Sequence, residues 1–297
     1  MGAGEGGRLN LFIFGIGFSG IEIAKAALLQ GAAVAGTTRS EAKAVKLSDA
    51  GIEPFLFDGS APGSALLKRL ATVTHLLVSI APDAAGDPAL NALAGHIAAD
   101  MPALEWIAYL STVGVYGDHD GAWVDEATQC RPVSNRSIER LKAEAAWRAL
   151  ADDISRPLAV LRLSGIYGPG RNTFVNLEDG SAKRIIKPGQ YFNRIHAADI
   201  AGAAMLLAHR KSDGLFNVTD DEPAPPQDVV TYAAKLMGIK PPPETAYEGA
   251  KMSPMARSFY GEVKRVSNAK IRALGYEFVF PNYRAALADM WQNGRWR

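Results

Sequence analysis

The run Gly15-Ile16-Gly17-Phe18-Ser19-Gly20 has the spacing G-x-G-x-x-G. In a chain with 29 glycines that spacing alone says little; the flanks give it meaning. LNLFIF before it is a short apolar run, and IEIAKAALLQ after it has helical periodicity and stops at Gly31. A strand–turn–helix with glycines at these places can hold a pyrophosphate. The first glycine allows the tight turn, the second lets the backbone approach the phosphates, and the third lets the helix lie close on the strand. The helix N-terminus adds oriented N–H donors. Gly15, Gly17, Phe18, Ser19 and Gly20 are therefore expected to bind a dinucleotide, against the plainer reading of a ligand-free glycine turn. No Gly-Lys-Ser/Thr follows the turn and no G-x-S-x-G occurs, which excludes a P-loop and a hydrolase elbow.

A second chemical position lies roughly 20 residues past the glycines, where a carboxylate would grip the ribose of NAD. The chain has Thr37-Thr38-Arg39-Ser40 there. Arg39 offers a planar cation suited to a 2′-phosphate, with the Thr38 and Ser40 hydroxyls beside it. NADP is thus the expected cofactor, with NAD as the alternative; a solvated Arg39 is the plain reading. Asp58, ending FLFD, could accept from an adenine amino group or simply fix a turn. The histidines at 75, 96, 119, 196 and 209 lack metal-ligand spacing and Cys130 is alone, so no metal is expected.

These residues need a scaffold, and the pattern supplies one. Strands are predicted at AAVAGTTRS, EPFLFDG, HLLVSIAP, WIAYLST, PLAVLRLSGIYG and LFNVTDD. Helices are predicted over residues 41–50, 63–71, 86–100 and 134–150, and at AADIAGAAMLLAH and QDVVTYAAKLMG. Apolar strands alternating with helices call for an α/β fold with a doubly wound, Rossmann-type parallel sheet. Pro-rich joints at EPAPP and KPPP mark a small C-terminal lobe. The expected division is a dinucleotide-binding core over residues 1–220, with 167–194 looping out to a substrate-side lobe over 221–297. A length of 297 residues suffices for both. The net charge of +1 gives no electrostatic reason for a nucleic-acid or membrane partner. One cysteine, no secretory h-region in MGAGEGGR, Gly6 where a myristoylation signal wants Ser or Thr, and no long apolar run make cytoplasmic the expected location.

Further segments carry a resemblance. They are Ser111-Thr112-x-x-Val115-Tyr116-Gly117, Leu161-Arg162-x-x-x-Ile166-Tyr167-Gly168-Pro169-Gly170-Arg171, Arg194-Ile195-His196-x-x-Asp199-Ile200 and Phe216-Asn217-Val218. In this order, with the glycine turn, they resemble the extended and atypical branch of the short-chain dehydrogenase/reductase superfamily, the NAD-dependent epimerase/dehydratase-like proteins. The resemblance covers nearly the whole chain. It implies that Thr112 orients a substrate oxygen. It puts Ser111, Ser164, Gly165 and Tyr167 around the nicotinamide and Ile80-Ala81-Pro82 along the cofactor. It also implies a structural role for Asp199 and a homodimer through a helix like 135–150. The family's proton-transfer pair is Tyr-x-x-x-Lys, followed four residues later by Glu. Aligned on Glu144, the tyrosine position is Arg136, the lysine position is Arg140, and the helix holds no tyrosine. Arginine stays protonated near neutral pH, so it cannot replace the phenol.

Arg140 could still bind the cofactor ribose, and Arg136 could clamp an anionic substrate group. Tyr116 and Tyr167 are the substitute acid–base candidates, beside Thr112. Arg171, Lys187, Arg194 and His196 are expected to face a small polar, nucleotide-sugar-like substrate, and Asp125 and Glu126 to fix a loop. Two readings follow: an NADP-dependent oxidoreductase or epimerase/dehydratase-like enzyme without the standard pair, or a non-catalytic NADP(H)-binding redox sensor.

Overall fold

A computed structural model describes residues 9–297; the stretch 1–8, read above for leader signals, lies outside the described residues. The strands β1 (Asn10–Phe14), β2 (Ala33–Thr38), β3 (Glu53–Leu56), β4 (His75–Val78) and β5 (Trp106–Thr112) join Leu158–Leu163 and Gly214–Val218 in one seven-stranded parallel sheet. Its order is Gly214–Val218, Leu158–Leu163, β5, β4, β1, β2, β3. The order reverses beside β1, whose parallel partners are β2 and β4, so the carboxyl ends of β1 and β4 flank the switch point where open α/β sheets bind ligands.

The strands are apolar on both faces because both faces are covered. On one, Phe12, Phe14, Leu76, Tyr109 and Val160 are buried together with Leu93 and Ile97 of α4 (Pro88–Asp100) and Trp147 of α5 (Asn135–Asp153). Each such side chain withdrawn from water contributes about 1.5–3 kcal/mol. On β2, Gly36 is required by close approach: a Cβ there would sit 2.5 Å from the Ile13 carbonyl oxygen. α4 begins where Asp87 accepts from Ala89 N–H and Leu90 N–H, with Pro88 at the first helical position.

The predicted sixth strand divides. Leu158–Leu163 stays in the main sheet, while Gly165–Tyr167 pairs in parallel with Arg194–His196 in a separate two-stranded sheet. The chain turns at Ser164, whose N–H bonds the Val218 carbonyl, and Gly165 N–H then donates to Asn193. The division of the chain also differs from a single boundary near residue 220. Two compact units interleave: one takes the described residues to 111 with 138–161 and 200–215, and the other takes 112–137, 162–199 and 216–297. The reason is topological: the chain leaves the sheet after β5 and again after Leu158–Leu163, and each departing segment belongs to the second unit.

Within the second unit Asp199 acts as a hub. It is fully buried and accepts from the Tyr276 hydroxyl at 2.9 Å, Val279 N–H at 2.7 Å and Phe280 N–H at 3.0 Å. Asp199→Ala takes the acceptor from Val279 N–H and Phe280 N–H, while the Tyr276 hydroxyl keeps the residue-199 carbonyl; it should cost about 1–3 kcal/mol, read as a lower urea midpoint, and a midpoint within error of the native one would show that the hub is not structural.

Candidate functional site

The glycine turn follows β1. Gly15 has φ +82°, and a Cβ on it would lie 2.7 Å from Ile80 Cγ1 and 3.1 Å from Ile80 N, so the segment after β4 presses on the turn. Thr37, one residue before the chemistry read from the sequence, fastens it. Its hydroxyl accepts from Gly15 N–H at 2.8 Å and its carbonyl from Ile16 N–H at 2.9 Å. Gly17 caps α1 (Phe18–Leu29) without a side-chain bond. A Cβ on Gly17 would meet only the Gly15 carbonyl oxygen, at 4.0 Å. That open space faces a helix start whose first N–H groups have no intrahelical acceptor, which fits a pyrophosphate. Ser19 and Gly20 are buried in the first turn, and a Cβ on Gly20 would crowd the same carbonyl at 3.2 Å.

At the end of β2, Arg39 is exposed and makes no hydrogen bond or ion pair with a described residue. Its neighbours are committed locally. Thr38 Oγ1 accepts from Ser40 N–H, and Ser40 caps α2 (Glu41–Asp49) by accepting from Lys43 N–H. Asp58 is exposed and holds a turn through the hydroxyl and N–H of Ser60, which keep its carboxyl below the usual range. Thr38 and Ser40 keep their own O–H to donate, and Arg39 has no polar group committed to a described residue. Ile80 is brought to the turn; Ala81 is exposed and Pro82 buried beyond it.

Ser111, at the carboxyl end of β5, is buried and donates to the Glu144 carboxylate of α5. Arg140 donates to the Leu110 carbonyl and lies 3.4 Å from the Tyr109 hydroxyl. The guanidinium at the lysine position is thus anchored to the strand, which weakens the expectation that it grips a ribose. A surface cavity of about 280 Å³, lined by Ile97, Met101, Leu104 and Ile154, lies by the amino end of β5 and away from the turn.

The second unit holds the remaining candidates. Thr112 Oγ1 accepts from Gly114 N–H at 3.1 Å, leaving its own O–H to donate. Tyr116, an acid–base candidate, is fully buried, donates to Asn217 Oδ1 at 2.7 Å, and burial pushes its phenol up to about 12. Tyr167 stands edge-on to His196 with its hydroxyl buried and unpartnered, and burial raises its pKa too. His196 is buried, with Nδ1 accepting from Ala198 N–H. Ser164 is buried and Gly165 exposed.

Two expected substrate cations are committed as well. Lys187 donates to the Tyr260 carbonyl, and Arg194 to the carbonyls of Phe192 and Ala224 at 2.9 and 3.0 Å. Backbone acceptors distant in sequence claim them, so they brace loops. Arg171 is exposed, as is Arg136, which lies 3.6 Å from Met255 Sδ. Asp125 holds Ala127 N–H and the Thr128 hydroxyl, and Glu126 holds Asn217 N–H, as loop-fixing carboxylates should. Sequence reasoning missed Lys264, which is buried and donates to the Gly117 carbonyl and Glu262. Nothing local to KRVS marks it.

Asp220 also escaped notice. One oxygen accepts from Glu222 N–H; the other is buried without a partner, and burial pushes the carboxyl up to about 8 against the pull of Arg194. The folded chain then holds a proton that the unfolded one, near pKa 3.9, releases. Stability due to this group is full below about pH 4 and lost as pH rises to about 8. Asp220→Asn should flatten that decline in urea midpoints measured between about pH 5 and about pH 8; a slope equal to the native one refutes the burial argument.

No protein-family model matches the chain. A conserved protein from Silicibacter pomeroyi, described as functionally unknown, is 44% identical with a TM-score of 0.88, over 97% of this chain and 99% of that one. A solved NAD-dependent epimerase/dehydratase, so described, from Methylobacillus flagellatus is 26% identical with a TM-score of 0.72, over 97% and 100%. The human epimerase family protein SDR39U1, solved with NADPH, shares the fold at 17% identity and a TM-score of 0.74, over 96% and 100%. Protein YeeZ of Escherichia coli K12 is 29% identical over 194 residues, 59% of each chain, so the match spans less than two thirds of that curated relative. No helix among the described residues is long and apolar enough to cross a membrane.

Proposed function

Because the chain belongs with the NAD-dependent epimerase/dehydratase-like proteins of the extended short-chain dehydrogenase/reductase superfamily, we propose that it is an NADP-dependent oxidoreductase or epimerase/dehydratase-like enzyme acting on a small polar substrate. The observation that carries the reading is the turn itself: open space at Gly17, where the helix start has no side-chain cap, with an uncommitted guanidinium at the end of β2. Gly17, Phe18, Ser19 and Gly20 would hold the pyrophosphate. Arg39 would meet the 2′-phosphate that distinguishes NADP from NAD. SDR39U1, which was solved with NADPH, supports that choice.

The dinucleotide, when bound, exchanges a hydride with the substrate; the chain must place and protonate the substrate oxygen. Thr112 suits the first task, since its oxygen is fixed by Gly114 N–H while its proton remains to be given. Without a tyrosine on α5 the second task falls to a weaker donor. General acid–base help is worth roughly 10²–10⁴-fold, so turnover should be slow. Arg136 and Arg171, exposed in the second unit, are the cations proposed for an anionic substrate group. A nucleotide-sugar-like substrate is the class proposed, with a homodimer as the assembly.

Calorimetric titration tests the cofactor. Native protein should bind NADP(H) more tightly than NAD(H), and Arg39→Asp should reverse the order, a swing of about tenfold or more. Equal or better native affinity for NAD(H) would sink the Arg39 assignment. A screen of carbonyl and sugar-nucleotide substrates, followed by NADPH absorbance for native protein and Thr112→Val, tests the chemistry. Turnover that Thr112→Val leaves untouched removes Thr112. Tight binding with no turnover transfers the assignment to the non-catalytic reading.

A further inference from the structure

Ser111 and Glu144 form a buried pair that the reading above does not use. Each is 5% exposed, and the serine hydroxyl points its proton at the carboxylate. A hydroxyl that donates inward keeps only its lone pairs for whatever lies before it. Ser111 therefore passes the sign of Glu144 onward instead of screening it.

The sheet order places this pair. β5 is two strands from β1, and neighbouring strands lie about 4.8 Å apart, so the end of β5 is on the order of 10 Å along the sheet from the glycine turn. In an open sheet of this order the second half of a dinucleotide extends over the strands beyond the reversal, which here are β4 and β5. The charged and titratable groups around the pair are Tyr109 on β5, Arg140 on α5 and Asp87 at the start of α4; Arg140, Asp87 and Glu144 all act on the Tyr109 hydroxyl. Asp87 is buried with one oxygen unpartnered, and burial favours its neutral form. Arg140 is fixed on the Leu110 carbonyl. Glu144 is thus the carboxylate connected by a hydrogen bond to the carboxyl end of β5.

We propose that Glu144, acting through Ser111, places negative potential at the nicotinamide end of the bound dinucleotide and favours its cationic, oxidised form over the neutral, reduced one. The proposal rests on the cofactor reading above and adds a redox preference to it. Glu144 is a positioning residue in this role. Arg140 does not alter the sign of the test, because it stays in place when Glu144 is changed. Removing one negative charge makes the potential at the ring more positive, which penalises the oxidised form alone.

The experiment titrates native protein, Glu144→Gln and Glu144→Asp with NADP⁺ and NADPH separately, with thermal unfolding in parallel. Gln keeps the acceptor for Ser111 and loses the charge; Asp keeps the charge. Glu144→Gln should bind NADP⁺ about tenfold more weakly and NADPH within about twofold of native, while Glu144→Asp keeps the native ratio within about threefold. A merely structural role moves both forms together, and equal losses overturn the proposal. So does a native protein that binds NADPH about tenfold more tightly than NADP⁺, a result that stands even if Glu144→Gln fails to fold. Native protein that binds neither form defeats the cofactor reading itself, which separates the two failures.

Discussion

The backbone of Ile80 occupies the space where a side chain on residue 15 would go, and much of the first unit follows from that contact. With 3.1 Å between Ile80 N and a built Cβ, β1 can turn beside the end of β4 only through a glycine in the left-handed region. That turn aims the first helix at the carboxyl ends of the strands, and Thr37 holds it from the other flank through Gly15 N–H. The turn is therefore gripped by β2 and pressed by the residues after β4, the two strands that border the reversal in sheet order. A loop fixed from both sides loses little conformational entropy when a ligand arrives, which favours affinity through preorganisation.

The two arginines of α5 follow from a different constraint. A buried strand end leaves carbonyls that need donors, and Arg140 supplies one to Leu110 while resting beside Tyr109. One nitrogen, Nη1, serves the carbonyl and the phenol together. Arg140 thereby ties α5 to the end of β5.

What the sequence made legible was local. The glycine turn, the caps and the alternation of strand and helix depend on neighbours within a few residues, and the structure has them. Cations were read poorly for the opposite reason. Lys187 and Arg194 lie in a basic, loop-rich stretch that looks suited to an anion, yet their partners are carbonyls at Tyr260 and Ala224, far along the chain. Spacing cannot reveal such acceptors because every residue offers one. Tyr116 is comparable: its position after β5 is visible, but the Asn217 that accepts its hydrogen bond is 101 residues away. The interleaving of the two units was hidden as well, since no composition shift marks where a chain leaves a sheet.

The committed cations narrow where a substrate's charge could be met. Arg194 is half-buried beside Asp220 and donates to two carbonyls, so desolvation lowers its pKa while the Asp220 carboxyl is held toward its neutral form. A buried cation with satisfied donors is costly to free for a ligand, because each carbonyl it leaves would then need another donor. The same cost applies to Lys187 on Tyr260. Arg136 bears no such cost. Its contact is a thioether sulfur at 3.6 Å, a weak acceptor that a carboxylate or phosphate would displace readily. Meeting an anionic group would therefore cost less at Arg136 than at Arg194 or Lys187.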